Sequence, residues 1–361
     1  MKRVLVTGGA GFIGSNLVFH LLEHQPGIHV VNLDALTYAG SAMNLEGLPD
    51  SSRHTFVRGD IADRPLVKRL LREERIDTIV HLAAETHVDR SIVGPDAFIQ
   101  TNLVGTFELL EAAREVWLLE GAVPPDETRF HHVSTDEVFG ALEPEDPPFT
   151  EDHLYRPNSP YAASKAGSDH LVRAYAMTYG LRVTLSNCSN NYGARQFPEK
   201  LIPLLIMNAV EGKPLPLYGD GMQIRDWIYV DDHCEALAAI LRYGRPGAAY
   251  NVGGGNQVTN LDLVHTLCTV LDGAIPQSPH RPHEHLVAFV PDRPGHDRRY
   301  AMDIKKIRSE LRWEPRETLE SGLRKTVAWY LANPDWVAAI REQPTYREWL
   351  DRNYAERRAM P

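Results

Sequence analysis

The chain opens Met1-Lys2-Arg3-Val4-Leu5-Val6-Thr7 and runs straight into Gly8-Gly9-Ala10-Gly11-Phe12-Ile13-Gly14-Ser15, a stretch that constrains the fold more than any other. It satisfies GxGxxG counted from Gly9 and GxxGxxG counted from Gly8, and it lies between an apolar strand and a helical pattern. In that setting the glycines let backbone approach a pyrophosphate, and the helix N-terminus faces its charge. Twenty residues past Gly14, Asp34 ends the next apolar run. A carboxylate there accepts hydrogen bonds from both ribose hydroxyls and repels a 2′-phosphate, so NAD is expected and NADP is not. The plain alternative is an ordinary helix-entry turn and a surface aspartate.

The first half then alternates short β-branched runs with longer helical patterns, the mark of βαβ units around a parallel sheet. Strands are predicted at Val4-Thr7, His29-Leu33, Thr55-Arg58, Thr78-His81, Arg129-Ser134 and Arg182-Ser186, and helices at Gly14-Glu23, Arg64-Glu74, Asp96-Leu119 and Pro160-Tyr179. The fold class is therefore α/β, a Rossmann-type doubly wound parallel sheet. After about residue 188 the alternation gives way to Pro198, Pro203, Pro214 and Pro216, then to a proline- and histidine-rich stretch from Pro276 to Pro294. A smaller, interwoven α/β domain is expected there, over the strand ends where open α/β sheets bind ligands. Because Arg225-Arg242 and Ala249-Val252 share the texture of the first half, residues 1–188 plus about 226–257 are assigned to the dinucleotide. Residues of about 189–225 plus 258–361 are assigned to the substrate; the full 361 residues suit two domains or one large α/β unit. Trp336, Trp349 and Tyr354, spaced among charges, predict an amphipathic helix packed on the body.

Charge narrows the partners. Lys and Arg total 38 against 48 Asp and Glu, a net −10 without a basic stripe. Binding to a nucleic-acid backbone lacks its main driving term, and any anion must be held by locally placed groups. Cys188, Cys234 and Cys268 stand far apart without CxxC spacing and read as buried apolar thiols in a reducing compartment. The opening leaves no room for a signal peptide, and no apolar run reaches the ~18 residues of a membrane span, so no membrane contact and a cytoplasmic location are expected. His280, His283 and His285 crowd together in a proline-rich loop without Cys or HExxH, and no metal site is predicted.

Two motifs handle protons. Asn158-Ser159-Pro160 supplies a cap and a first-turn proline, which puts Tyr161 and Lys165 at i and i+4 on one helix face. A phenol of pKa near 10 is a poor base at neutral pH, and a nearby ammonium would lower it enough to take a proton from a sugar hydroxyl. Ser134-Thr135-Asp136-Glu137-Val138-Phe139-Gly140 follows an apolar strand. Adjacent carboxylates at a strand end are hard to explain by packing and make sense as an acid and a base with pKa values pushed apart; the plain alternative is a helix-capping turn. Asp60-Ile61 ends the third strand where it can flank an adenine, Leu82-Ala83-Ala84-Glu85 offers small residues to the nicotinamide half, and His87-Val88-Asp89-Arg90-Ser91 reads as a helix cap.

Together these residues resemble an extended short-chain dehydrogenase/reductase, and within it the nucleotide-sugar 4,6-dehydratases. The resemblance runs nearly full length, through Leu82 to Ile92, Ser189-Asn190-Asn191-Tyr192-Gly193, Tyr218-Gly219-Asp220-Gly221, Arg225-Asp226-Trp227 and Asp292 to Asp297. Asp136-Glu137 separates dehydratases from related 4-epimerases and decarboxylases, and Phe197-Pro198-Glu199-Lys200-Leu201-Ile202-Pro203 points to the thymidine-linked branch. Gly193-Ala194-Arg195-Gln196 departs from the family pattern.

The resemblance implies that Tyr161 takes the proton of the glucose 4-hydroxyl while a hydride leaves C4 for NAD, Thr135 hydrogen-bonds that oxygen and Lys165 holds the cofactor ribose. Glu137 would then remove the C5 proton as Asp136 protonates the departing C6 hydroxyl, and return of the hydride to C6 with reprotonation of C5 would give a 4-keto-6-deoxy sugar. Gly8, Gly11, Phe12, Ile13, Gly14, Asp34, Asp60, Ile61, Leu82, Ala83, Ala84, Thr101, Tyr161, Lys165 and Asn191 would surround NAD. Thr86, Thr135, Asn190, Glu199, Lys200, Leu201, Pro216, Arg225, Asn260, Arg293 and His296 would hold a small-molecule nucleotide-diphosphate sugar, with Tyr218 beside the base. The family also pairs two long helices per chain, here Asp96-Leu119 and Pro160-Tyr179, into a homodimer interface. A UDP- or CDP-linked 4,6-dehydratase and a nucleotide-sugar 4-epimerase remain alternatives. A silent NAD-binding regulator on the same fold would be expected to lack the proton-handling set, which is complete here.

Overall fold

A computed structural model of the chain describes residues 1–293, 295–344 and 346–348; Pro294, Trp349 and Tyr354 lie outside the described residues. The short β-branched runs become strands β1 (Arg3–Thr7), β2 (His29–Asp34), β3 (His54–Arg58), β4 (Thr78–His81), β5 (Arg129–Thr135) and β6 (Val183–Cys188). Three further strands, β7 (Asn190–Tyr192), β8 (Leu215–Tyr218) and β9 (Ile224–Tyr229), precede β10 (Ala249–Val252), which returns to close a seven-stranded sheet of order β10-β6-β5-β4-β1-β2-β3. Every pairing in it is parallel. Successive residues of one strand face opposite layers: Leu5 packs with Val67, Leu71, Leu110 and Val172, whereas Val4 and Val6 pack with Leu17, Leu21, Val230 and Leu237. Helices thus cover both faces, as a doubly wound sheet requires.

The helix predicted at Pro160-Tyr179 forms over those residues, with Ser159 as its N-cap and Gly180 in the left-handed region at its end. Helical segments Asp96–Phe98, Ile99–Gly105, Thr106–Ala113 and Arg114–Leu119 follow one another, the second and fourth in wider π-type turns. Such turns commonly sit at functional sites, and Thr101 lies on the first of them.

Beyond β6 the elements are shorter. β9 pairs with β7 and with β11 (Gln257–Thr259) in a three-stranded sheet, and β12 (Val287–Val290) pairs with β8. The Arg225-Arg242 segment is therefore split: its strand belongs to the small sheet, while the helix Val230–Tyr243 packs on the helix Phe12–His24 beside the large one. Tyr192, Ile202, Leu205, Leu263, Leu267, Leu323 and Trp336 build a separate core around the small elements. The predicted C-terminal helix forms at Pro334–Glu342, burying Trp336 and Ile340.

Two glycines fix the turn after β1. Gly8 has φ +72°, and a Cβ there would lie 2.7 Å from the amide nitrogen of Ala83. At Gly14 a Cβ would collide with the carbonyl oxygen of Gly8 and lie 2.7 Å from Gly9 Cα. Gly14→Ala is expected to lower stability by about 1–3 kcal/mol, the usual cost of overpacking. A fall in Tm by scanning calorimetry checks this; an unchanged Tm would contradict it.

Candidate active site

The carboxyl ends of the central strands open into one cavity of about 460 Å³ at the switch point between β1 and β4, where strand order turns outward in both directions. The glycine turn contributes Gly8, Gly11, Phe12, Ile13 and Gly14, and the strand ends contribute Asp34, Asp60, Ile61, Leu82, Ala83, Ala84, Thr135, Asp136 and Glu137. Thr101, Tyr161 and Lys165 enter from the long helices. The opposite wall carries Thr86, Asn190, Asn191, Glu199, Lys200, Leu201, Pro216, Tyr218, Arg225, Asn260, Arg293 and His296. The structure thus gathers every residue proposed from the sequence for catalysis, NAD or the nucleotide sugar around a single space.

The glycine-turn half fits a dinucleotide on its own chemistry. The helix Phe12–His24 starts at Gly11 with no side-chain cap and no acidic residue in its first turn. Its first N–H groups and dipole are left for an anion, as a pyrophosphate needs. Asp34 accepts from Ala10 N–H at 2.9 Å and Leu36 N–H at 2.8 Å, which uses two of its four acceptor directions. Burial raises its pKa, and those two amides oppose the shift. Gly40 lies over the carboxylate so closely that a Cβ would stand 2.9 Å from Oδ1.

At the end of β5 the side chain of Thr135 caps the turn Asp136–Phe139, accepting from Glu137 N–H at 3.3 Å and donating to Asp136 Oδ1 at 3.2 Å. Burial, then the Glu137 and Asp226 carboxylates, push the Asp136 pKa well above the usual range. Burial also raises Glu137, but Arg293, Lys200 and Arg225 pull it back down. The surroundings of Asp136 favour its protonated form, while cations favour ionisation of Glu137.

Tyr161 corrects one expectation. Its phenol is pushed well above 10 by burial, Glu137 and Cys188, with a hydrogen bond to Thr135 acting the other way. Lys165 is not among the leading influences on it; its Nζ donates to the Val133 carbonyl at 2.9 Å and lies 3.4 Å from His132 Nε2. The i, i+4 spacing brings both residues to the cavity, with the ammonium bonded to the Val133 carbonyl.

The opposite wall is cationic and only partly satisfied. Arg225, 5% exposed, donates to the carbonyls of Ile224 and Asp297 and lies 4.3 Å from the centre of the Tyr300 ring. Lys200 donates to Thr86 O at 2.9 Å, and Arg293 stands 3.4 Å from Asp89. His296 is lowered to about 4 by burial, Arg293 and Arg225, so it is neutral at pH 7. Among the described residues Asp136 Oδ2, Asn190 Oδ1, Asn260 Oδ1 and Arg293 Nε are buried without a protein partner. A polar ligand would satisfy groups that are otherwise costly to bury.

Comparison with known proteins decides the family. The profile described as GDP-mannose 4,6 dehydratase matches residues 5–326. A dTDP-glucose 4,6-dehydratase of Xanthomonas campestris is 56% identical, covering 94% of this chain and 96% of its own, and one from Salmonella typhimurium is 52% identical, covering 98% and 99%. This chain belongs to the dTDP-glucose 4,6-dehydratase family. A crystal structure of the dTDP-glucose 4,6-dehydratase from Streptomyces venezuelae with NAD and TYD bound superposes with a TM-score of 0.83 at 46% identity, covering 92% of this chain and 98% of that one.

Two residues at or beside the cavity were given no site role by the sequence reading. Asp169, one helical turn past Lys165, accepts from Ser134 Oγ at 2.8 Å and Tyr155 OH at 3.0 Å and lies 3.1 Å from His132 Nε2. Burial raises its pKa to about 6, opposed first by Lys165; burial lowers that of Lys165, opposed first by Asp169. Asp89, in the helix Val88–Val93 that His87 caps, takes Arg293 and the Tyr218 hydroxyl at 3.4 and 3.3 Å. The i+4 spacing was the available signal for Asp169; Asp89 had none beyond its charge.

Proposed function

We propose that the protein converts dTDP-D-glucose to dTDP-4-keto-6-deoxy-D-glucose and water with tightly bound NAD. The observation that carries the reading is the Asp136-Glu137 pair at the end of β5, the first buried and the second facing Arg293, Lys200 and Arg225, beside Tyr161 in one cavity. NAD bound along the glycine turn supplies a two-electron acceptor for the sugar's C4, gives the same electrons back to C6, and brings a positive ring that favours the Tyr161 phenolate. Asp34 binds the adenosine ribose, and Lys165 binds the nicotinamide ribose after leaving the Val133 carbonyl. Thr135 hydrogen-bonds the sugar O4 and Tyr161 takes its proton. Once C4 is a ketone the C5 proton is acidic, and Glu137 removes it. Asp136, whose pKa is raised well above the usual carboxylate range, gives its proton to the departing C6 hydroxyl, and as the hydride adds to C6 the proton held by Glu137 returns to C5. Lys200, Arg225 and Arg293 neutralise the diphosphate, which answers the local-anion requirement of a chain of net charge −10.

In domain terms, residues 1–188 with about 226–257 carry NAD and about 189–225 with 258–361 carry the nucleotide sugar, strand β9 excepted. Exposed Ile99, Phe107, Leu119 and Met177 on the two long helices support a homodimer, which light scattering would test. No helix among the described residues is long and apolar enough to cross a membrane, and the three free buried thiols support a cytoplasmic setting.

Mass spectrometry tests the reaction. dTDP-glucose should lose one water, faster than UDP- or CDP-glucose. A product of unchanged mass with C4 inverted would mark an epimerase, and equal turnover of the three nucleotides would remove the thymidine assignment.

The pH profile of kcat follows from the two carboxyls. Below its raised pKa Glu137 is protonated and useless as a base, so activity falls on the acid side; ionisation of Asp136, whose pKa is raised well above the usual carboxylate range, removes the acid and brings a second fall at higher pH. Arg293→Gln removes a cation that lowers Glu137, and the acid limb should move to higher pH. An acid limb unmoved at saturating substrate would contradict this.

A further inference from the structure

The helix Pro334–Glu342 lies beyond residue 326, where the family match ends, yet it reaches the dinucleotide half of the cavity through an unbroken run of hydrogen bonds. Trp336, 6% exposed, donates its indole N–H to Asn44 Oδ1 at 2.7 Å. Asn44, 1% exposed, donates Nδ2–H to the carbonyl of Ala10 at 2.8 Å, inside the glycine turn. The amide of Ala10 in turn donates to Asp34 Oδ2 at 2.9 Å. The Ser41 amide, at the head of the turn that carries Asn44, reaches the same Ala10 carbonyl at 3.0 Å.

Packing accounts for the indole ring and leaves its N–H unexplained. The ring meets Trp329 and Tyr330 edge-on, at 5.1 and 5.8 Å between centroids, and a phenyl ring could make those contacts equally well. The N–H and the Asn44 amide do something else. A turn built of Gly8, Gly9 and Gly11 has little side-chain material to hold it, and Asn44 grips it at Ala10, whose amide is one of the two that orient Asp34. We propose that Trp336 and Asn44 are positioning residues for the dinucleotide, holding the glycine turn and, through Ala10, the Asp34 carboxylate in the arrangement that receives pyrophosphate and ribose. The inference rests on the reading of that turn as the NAD site.

The test is NAD binding to the full-length protein by calorimetry, with dTDP binding measured alongside. Trp336→Phe keeps the ring contacts and removes the donor; Asn44→Ala removes both bonds. Each should weaken NAD by about 3–10-fold, the range set by one buried neutral hydrogen bond, and leave dTDP affinity unchanged. The double variant should be no weaker than Asn44→Ala, because the two side chains act in series. NAD affinity equal to wild type in either folded variant would overturn the proposal, as would parallel loss of NAD and dTDP, which marks general loosening. A wild-type chain that bound dTDP but no NAD would instead overturn the reading of the turn, and this proposal with it.

Discussion

Glu137→Gln should stop dehydration while leaving the first half of the reaction running. The substitution keeps the shape of the side chain and removes its basicity, so the C5 proton loses its acceptor and kcat should fall by about 10²–10⁴-fold, the usual worth of a positioned general base. Oxidation at C4 does not require that carboxylate, so adding dTDP-glucose should still raise the absorbance of reduced nicotinamide, now to a persistent level. The charge change has its own signature. The Glu137 carboxylate is among the groups that raise both Asp136 and Tyr161, so its removal should bring both pKa values down. Asp136 would then lose its proton at lower pH, and the alkaline limb of the residual activity should shift downward. Wild-type dehydration by this variant would refute Glu137 as the base.

Tyr161→Phe should abolish both halves. The ring is 7% exposed and packs edge-on against Phe98 at 6.2 Å, contacts that phenylalanine preserves, so folding should be little affected. What disappears is the acceptor for the O4 proton, and without it C4 is not oxidised. We expect a loss of about 10²–10⁴-fold in kcat, with no reduced nicotinamide on adding substrate. That second readout separates the two variants: it survives at Glu137→Gln and vanishes at Tyr161→Phe. Persistent nicotinamide reduction by the phenylalanine variant would assign the first proton transfer to another group.

These expectations could be framed because the chemistry is carried by local patterns. The glycine turn, Asp34 at a strand end, Tyr161 with Lys165, and Asp136 beside Glu137 are each defined by spacing within one element or one turn, and all of them line the same cavity. The parallel strands were legible for a similar reason, since a strand buried on both faces is a near-continuous apolar run. What escaped depends on contacts between distant segments. The 4-residue spacing of Tyr161 and Lys165 says nothing of the Val133 carbonyl and His132, which capture the ammonium. Burial of Asp226, whose pKa rises to about 6 with backbone amides of residues 254–256 opposing the shift, goes with a strand pairing that no periodicity announces. Trp336 read as an amphipathic core residue, and only the fold reveals that its N–H points to Asn44, 292 positions earlier.

The central claim is that oxidation at C4, loss of water and reduction at C6 occur on one sugar without its leaving the site. dTDP-glucose carrying deuterium at C4 tests it most directly, mixed with unlabelled substrate and analysed by mass and NMR. The account requires the label at C6 of the same molecule that lost it. Deuterium retained at C4, or scrambled into molecules that began unlabelled, would contradict it.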